Sequence, residues 1–419
     1  KIPELLDLPS EPWWIKLKNT FKLIKFCIKA PEVVDRFAKE LSRFSINEEN
    51  DSTQMLAEIC ETSWFFDHCM AVHIQSSALS GFLCAVAENL VSSKRNDSTI
   101  EEQAEVVRLL TGATGVESAL MLEQFDKLID HLSEFSDVKR GFQLASIDDA
   151  TIWLRQAGSV SGEFEEFLRA HGHRGLRELC MRDQCWREDL TSLVKSMQAA
   201  VSSRLSKIKT GKEQDKVDIA KLSRSLQWII PRAHSAIRRR ELTKSYLVEV
   251  AYRFKLSFRH LGKLMYLEGL IPDPDLVNFF SFSELPDFIS SPSTEAIEHV
   301  IARRRALDFQ QRLEFPDVSV GCPEPIFEDI TSELVHGELK GRPASCGVAE
   351  GLVRVARNLD EASSLKPDEI LITPITDIGW TPYFSLISGL VTDLGSSVSH
   401  GAVIAREYGL PCIVNTRCA

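Results

Sequence analysis

The first three quarters of the chain carry the hydrophobic spacing of α-helices, with apolar residues three or four positions apart. The stretch PWWIKLKNTFKLIKFCIKA shows it clearly, because its lysines fall on a different face from its apolar residues Trp14, Leu17, Phe21, Ile24 and Ile28. This spacing predicts an amphipathic helix over 13–29. Such a helix either packs into a helical bundle or lies on a membrane surface or a partner, and we favour packing.

Longer helices are predicted downstream. The apolar stretch 57–91 predicts a core helix interrupted at Gly81. Further helical patterns cover 101–137, 190–208, 216–229, 235–268 and 293–311. Polar, turn-prone segments separate them at 45–53, 92–99 and 209–216. The prolines of IPDPD then break the pattern, and FSFSELPDFI predicts a turn with a short helix.

The pattern changes near residue 314, where proline and glycine become frequent and short β-branched runs replace long helical stretches. Strands are predicted at 351–356, 369–374, 389–393 and 411–415, with helix-like segments at 360–365, 379–387 and after His400. We therefore predict a multidomain α plus α/β protein. Its parts are an all-helical domain over 1–313, a linker over 314–337 and a small mixed domain over 338–419.

Composition narrows the function classes. The chain has 44% apolar and 26% charged residues, as in a soluble globular protein. A net charge of -11 argues against a nucleic-acid binder. The ten cysteines form no C-x-x-C pair, which favours reduced thiols over a disulfide framework or a zinc site. No apolar run approaches the roughly 18 residues of a spanning helix, so we predict a cytoplasmic protein without membrane contact. We expect no metal site, since the cluster of His68, Cys69 and His73 favours core packing.

The segment TDLGSSVSHGAVIAREYGLP holds one histidine, His400, between a small-residue loop and a short helical pattern over 402–408. Gly409 and Pro411 form a conventional helix stop. A helix N-terminus presents unpaired amide donors that suit a phosphate, and a neutral imidazole is a competent nucleophile. The local pattern leaves two interpretations open: His400 caps or packs the helix end, or it carries out chemistry.

The string GSSVSHGAVIAREYGLP resembles the phosphohistidine motif of the phosphoenolpyruvate-utilising enzymes, G-G-x-x-[ST]-H-x-A-x-x-A-R-E-x-G-x-P. The upstream stretch GRPASCGVAEGLVRVARNLDEASSLKPDEILITPITDIGWTPYF is similar to the opening of the same swivelling β/β/α domain, with a glycine-bounded hairpin and a D-x-x-W-T-P turn. Two positions depart from the pattern. Ser396 occupies the second glycine, and Gly401 occupies the usual alanine.

This resemblance implies a role for each matching residue. His400 would carry a phosphoryl group, Ser399 would position its oxygens, and Arg406 would offset their charge. Thr392, Gly395 and Ser396 would form the loop around the phosphate. Because the family continues beyond the last strand seen here and the chain starts at Lys1, we expect a piece of a longer polypeptide.

The helical part resembles the substrate-binding domain of the rifampicin phosphotransferase group. FLRAHGHRGLRELCMRDQCWREDL is similar to the group's GHRG…E…W-x-E-D-P signature, and RRRELTKSYL to its R-E-x-x-K helix. The resemblance implies substrate-binding roles for His173, Arg174, Glu178, Arg240 and Lys244. Two other interpretations stay open: the helix cations solvate a surface, or His173 and Arg174 pin a buried turn through Glu178.

The family implies an ATP-dependent, dikinase-type phosphotransferase acting on a small organic acceptor with a hydroxyl or enol oxygen. ATP and Mg²⁺ would bind an ATP-grasp domain, and no nucleotide-binding pattern is visible before residue 338. We therefore expect that domain in cis in a longer chain or in trans, and expect this chain alone to lack the ATP half-reaction. The alternative is a catalytically inactive binding or scaffold protein that retains the fold.

Overall fold

The computed structural model describes residues 29–91, 105–106, 108–110, 117–135, 137–175, 177–205, 222–311, 313, 315, 319–325, 341–362, 364–395 and 399–416. Several predictions lie outside this part of the chain. They are residues 13–28 of the predicted amphipathic helix 13–29, the breaks at 92–99 and 209–216, much of the 314–337 linker, and Ser396. The domain boundaries therefore stay predictions.

Ten helices are described in the first part of the chain. They are α1 (29–43), α2 (Ser52–Thr62), α3 (Trp64–Val91), α4 (Glu117–Ser133), α5 (Ile147–Gln156), α6 (Gly158–His171), α7 (Thr191–Leu205), α8 (Arg224–Leu267), α9 (Glu284–Ser290) and α10 (Thr294–Gln310). Residues 105–106 and 108–110 are also helical. A π-helical turn covers Lys139–Gln143, and a 3-10 helix covers Pro274–Phe279.

The structure corrects two predicted helix breaks. The 57–91 pattern is interrupted at Ser63, whose backbone N–H and hydroxyl both donate to the Cys60 carbonyl, and α3 runs on through Gly81. Helix α8 is continuous, although two helices were predicted on either side of Pro231. Proline costs a helix interior about 3 kcal/mol. Buried neighbours such as Ile230 and Ala233 pack into the core there and hold the helix together.

Helices α5 and α6 were not predicted from the hydrophobic pattern. Each is short, and glycine interrupts the apolar spacing of α6 at Gly158 and Gly162. Helix α5 forms from a local signal instead, since the Ser146 hydroxyl accepts a hydrogen bond from the Asp149 amide at 3.2 Å. Both helices bury residues such as Leu154 and Phe164 in the core.

The last part of the chain forms a five-stranded sheet. Its strands are β1 (Arg342–Ser345), β2 (Val353–Val355), β3 (Ile370–Thr373), β4 (Gly389–Thr392) and β5 (Cys412–Val414). The order is β1-β5-β4-β3-β2, with β1 antiparallel to β5 and all other pairs parallel. Helices α11 (Leu359–Ala362) and α12 (His400–Glu407) and a 3-10 helix over Ile378–Ser385 connect them. The four predicted strands are confirmed.

The predicted hairpin at the start of this domain is wrong. Strands β1 and β2 are consecutive in sequence, yet they lie at opposite edges of the sheet. Strand β1 pairs instead with β5, with Arg342 opposite Val414. The glycine-rich segment between β1 and β2 therefore crosses the sheet and does not form a tight turn.

One hydrophobic core runs through both parts of the chain. It joins Leu122 and Phe125 of α4 to Leu371, Leu390 and Ile404 of the sheet domain. This shared core presses the sheet domain, and with it α12, against the helical domain. The prediction that no apolar stretch approaches the length of a spanning helix is wrong for Ser52–Val91. That stretch has the length and apolarity of a membrane-crossing helix, a test that core helices of soluble proteins also pass.

Candidate active site

A short turn in the sheet domain positions the first residues of the site. In D-x-x-W-T-P, Asp377 caps the 3-10 helix by accepting a hydrogen bond from the Gly379 amide at 3.0 Å. This cap sets the direction of the helix and brings Thr381, which is fully buried, to His400. The Thr381 hydroxyl oxygen lies 2.9 Å from His400 Nε2. Thr381 and Asp377 were not predicted as site residues, although the D-x-x-W-T-P turn in the sequence contains both.

His400 is the first residue of α12, so the helix begins two residues before the predicted start at 402. Ser399 is its N-cap in extended conformation, and the Val403 amide donates to the Ser399 carbonyl at 3.0 Å. The imidazole is 8% exposed and lies 6.5 Å from the ring of Phe384. Within the described residues, its Nδ1 makes no hydrogen bond. The fold thus buries the ring at the helix N-terminus and leaves one nitrogen unsatisfied.

The environment keeps this imidazole neutral. Burial is the first cause that lowers the pKa of His400 well below its usual 6.5. The positive charges of Lys244, Arg174 and Arg240 lower it further. A neutral ring at cellular pH has a free electron pair for attack on phosphorus.

These three cations belong to the helical domain and to two distant sequence segments. Arg174 comes from the loop after α6, and its Nη1 lies 3.4 Å from Oε1 of Glu178. Lys244 comes from α8, and its Nζ lies 3.8 Å from the other oxygen of the same carboxylate. Arg240, one turn earlier on α8, pairs with Glu241 at 2.7 Å. The charges of three of the five predicted substrate-binding residues therefore act on His400, and Glu178 joins two of those three to each other.

The Glu178 carboxylate joins the loop after α6 to helix α8, although its burial disfavours the charged form. Burial raises the pKa of Glu178, while the charges of Arg174 and Lys244 lower it in opposition. The negative charge of Asp377 raises it as well, so a carboxylate from each domain shares this region. The backbone amide of Arg177 donates to Asp377 Oδ2 at 3.1 Å and joins the two domains directly beside the site. Arg177 has a positive φ of 50°, a backbone strain of the kind found at functional sites.

His173 lies in the same loop in a different environment. Its ring faces Tyr252 of α8 at 6.5 Å, and within the described residues its Nε2 has no hydrogen-bond partner. Burial and then the charge of Arg174 lower its pKa to about 3. Arg174 does bond to Glu178, as the turn-pinning interpretation expects, whereas the contact of His173 is with Tyr252.

The predicted phosphate loop is partly described. Gly395 has a φ of 152°, and a Cβ there would lie 3.2 Å from the Ser399 hydroxyl and 3.3 Å from that of Thr392. Glycine therefore lets the loop pass close to both hydroxyls. The Thr392 hydroxyl is buried and has no hydrogen-bond partner among the described residues. Thr392, Gly395 and Ser399 thus meet at the mouth of α12.

Gly401, where the family pattern has alanine, is required by packing. A Cβ at this position would lie 2.3 Å from the Thr376 hydroxyl and 3.2 Å from Cδ2 of Leu390. The residue that follows His400 is therefore small because Thr376, in the loop after β3, packs closely against α12.

Arg406 lies away from His400. It is 2% exposed, and its Nη1 donates to the Ala344 carbonyl of β1 at 3.4 Å. Its positive charge lowers the pKa values of Cys84, His234 and Cys412. The charges that lower the pKa of His400 come instead from the helical domain. The structure therefore does not bring Arg406 to the imidazole, because six residues along a helix rotate the side chain to another face.

Metal-binding groups do not cluster in the described part of the chain, where no set of three His, Cys, Asp or Glu side chains could hold an ion. The cluster near residue 70 is engaged in other contacts. His68 Nε2 lies 3.0 Å from Glu40, His73 Nδ1 lies 3.2 Å from the Thr243 hydroxyl, and Cys69 is buried in the core.

Two known protein families match this chain, one in each of its parts. Residues 71–241 match the rifampicin phosphotransferase fourth domain, and residues 365–419 match the PEP-utilising enzyme, mobile domain. Among curated proteins, the chain is 26% identical over 382 residues to the prodigiosin synthesizing transferase PigC of Serratia marcescens, covering 85% of this chain and 42% of that protein.

Rifampicin phosphotransferases are also similar. That of Bacillus subtilis is 28% identical over 329 residues, which cover 74% of this chain and 37% of the relative. That of Bacillus cereus is 32% identical over 183 residues, which cover 43% of this chain and 21% of the relative. The chain thus spans less than half the length of these curated relatives.

Proposed function

We propose that this chain, which belongs to the phosphoenolpyruvate-utilising enzyme family, carries a phosphoryl group on His400 to a small organic acceptor. The observation that supports this most directly is the placement of one neutral, buried imidazole against three cations of the helical domain. A structural histidine would gain nothing from such neighbours, since they disfavour its protonation. A phosphorylated histidine would gain, because its oxygens carry negative charge.

Each step of the transfer balances. In charging, an imidazole nitrogen of His400 attacks phosphorus, an N–P bond forms, the P–O bond to the donor breaks, and the N–H proton of the ring is released to solvent. In transfer, the acceptor oxygen attacks, a P–O bond forms, the N–P bond breaks, and the acceptor's hydroxyl proton replaces phosphorus on the imidazole. Arg174, Arg240 and Lys244 would stabilise the charge that spreads over the three phosphoryl oxygens.

The amide of helix α12 and the hydroxyl of Ser399 would add hydrogen bonds to the same oxygens. Arg174 and Lys244 share Glu178, which fixes their side chains before any substrate binds. Preorganised charges of this kind stabilise a transition state without reorganisation during the reaction.

ATP and Mg²⁺ are the donor group that the family implies, and the described residues offer no cluster to hold the metal. We propose that an ATP-grasp domain supplies both, in cis in a longer protein or in trans from another chain. The acidic net charge fits a protein that binds small molecules and not nucleic acid. We place the reaction in the cytoplasm, where ATP is available.

Labelling with ATP that carries ³²P in its β-phosphate tests this function, in protein that includes the donor domain, because a dikinase-type reaction leaves the β-phosphoryl group on histidine. We expect a label that is labile in acid and stable in base, lost in His400→Gln and retained in His68→Gln, a partly exposed control histidine. A label that survives His400→Gln would contradict the carrier role. Absence of any label in the wild-type protein would favour the alternative, a binding or scaffold protein that keeps the fold.

A further inference from the structure

A hydrogen bond between the two domains lies at the far end of the helix that begins with His400. Tyr408, the C-cap of α12, donates its phenol hydrogen to Asp126 Oδ2 of α4 at 3.2 Å. The backbone of Tyr408 is fixed independently, since its amide donates to the Ile404 carbonyl at 3.0 Å. The side chain is therefore free to serve the contact between domains.

The acceptor of this bond is held in place by a third element. Arg204 of α7 reaches Asp126 Oδ1 at 3.2 Å and Asp130 at 2.7 Å. Burial raises the pKa of Asp126, and burial together with the charge of Asp126 raises that of Tyr408. The Asp126 carboxylate therefore pairs with Arg204 through Oδ1 and accepts the Tyr408 hydrogen bond through Oδ2. The ring of Tyr408 packs against the shared core.

The two ends of α12 thus contact the helical domain differently. His400 at the first end faces Arg174, Arg240 and Lys244. Tyr408 at the other end is bonded to Asp126, about 12 Å away for a helix of this length. Because a short helix is stiff, a fixed second end determines where the imidazole at the first end points.

We propose that Tyr408 and Asp126 form a latch that holds α12 on the helical domain with His400 aimed at its cations, and that the carrier domain undocks when this bond breaks. Tyr408 is a positioning residue that acts through His400. The proposal rests on the proposed function for its purpose, since a carrier must visit two sites. The latch itself is a property of the fold and can be measured without any phosphoryl transfer.

The probe is diethyl pyrocarbonate, which acylates accessible neutral imidazoles, followed residue by residue with mass spectrometry. In this chain His400 is 8% exposed and should react slowly. We expect Tyr408→Phe to raise its acylation rate about tenfold, the effect of one lost hydrogen bond to a charged group. Tyr266→Phe, an exposed tyrosine on α8, is the matched control and should leave the rate unchanged.

His171 and His173 separate release of the domain from general loss of stability. His171 is buried and His173 is partly buried in the helical domain, so their acylation rates should stay constant in Tyr408→Phe. Asp126→Asn should raise the His400 rate as well, and the double variant should add little to either single one. Equal His400 rates in Tyr408→Phe and wild type, rates that rise at all three histidines, or additive single effects would each overturn the latch.

The ATP-charging assay distinguishes failure of the latch from failure of the proposed function. If His400 is a carrier, Tyr408→Phe should charge at least as fast as wild type, because charging needs the undocked state. If His400 accepts no phosphate, the acylation result still decides whether the latch exists.

Discussion

The proposed carrier side of the candidate site, around Thr381 and His400, and its proposed acceptor side, around Arg174 and Lys244, reach the same point by different routes. The carrier side is local: a capped turn and a helix start from neighbouring strands meet through one contact of 2.9 Å. On the acceptor side a loop and a distant helix are joined by the carboxylate of Glu178. The difference teaches that the imidazole is placed by backbone geometry, whereas its facing cations depend on a buried ion network.

The largest expected loss of stability comes from breaking that ion network. Glu178→Ala leaves Arg174, 3% exposed, without its counter-charge. Breaking a buried pair by removing one partner costs about 3–5 kcal/mol of the free energy of unfolding, which denaturant titration measures.

Glu165→Ala is the matched control. It removes a carboxylate that lies 3.5 Å from Arg155 with both side chains about half exposed, and such surface pairs contribute at most about 1 kcal/mol. If both variants lost the same small amount, the acceptor side would not depend on its ion network.

On the carrier side, a steric clash should lower the free energy of unfolding. Gly401→Ala, which restores the family's usual residue, places a Cβ 2.3 Å from the Thr376 hydroxyl. We expect a loss of about 1–3 kcal/mol, with recovery in the double variant Gly401→Ala, Thr376→Ala.

A helix-interior glycine with open space around it serves as the comparison. Gly81→Ala meets no atom within 4 Å and should stabilise the protein by about 0.5–1 kcal/mol. A Gly401→Ala protein as stable as wild type would show that the loop at Thr376 shifts at little cost in free energy.

The pH dependence of protein stability tests the acceptor side at His173. Its pKa is about 3 in the folded chain and near 6.5 when unfolded, so below pH 6.5 the unfolded state binds the extra proton. Stability is unaffected above pH 6.5 and falls by about 1.4 kcal/mol for each further unit of acidification until the folded pKa is reached. His173→Asn should remove that part of the loss, measured as the difference in unfolding free energy between pH 7.5 and 5.5.

An identical pH profile in His173→Asn and wild type would mean that water reaches His173 in the folded state.

Sequence reasoning found the carrier side more completely than the acceptor side, for a physical reason. Strand periods, the helix stop at Gly409 and the motif around His400 are local signals, and the four predicted strands and α12 follow from them. Pro231 inside α8 and the sheet-edge position of β1 are decided by tertiary packing. Arg406 shares the motif with His400 and still points to Ala344, because helical rotation separates residues that are close in sequence.

The smallest effect tests whether the two sides act on each other. Lys244 is the first charge, after burial, that lowers the pKa of His400. Lys244→Met should therefore raise that pKa toward 6.5, seen by NMR titration of the imidazole, so that charging by ATP slows at a higher pH than in wild type. Lys263→Met, which removes an exposed lysine from the same helix, should leave the titration unchanged. If His400 titrated alike in all three proteins, the cations of the helical domain would not face the imidazole in solution, and the carrier domain would spend its time undocked.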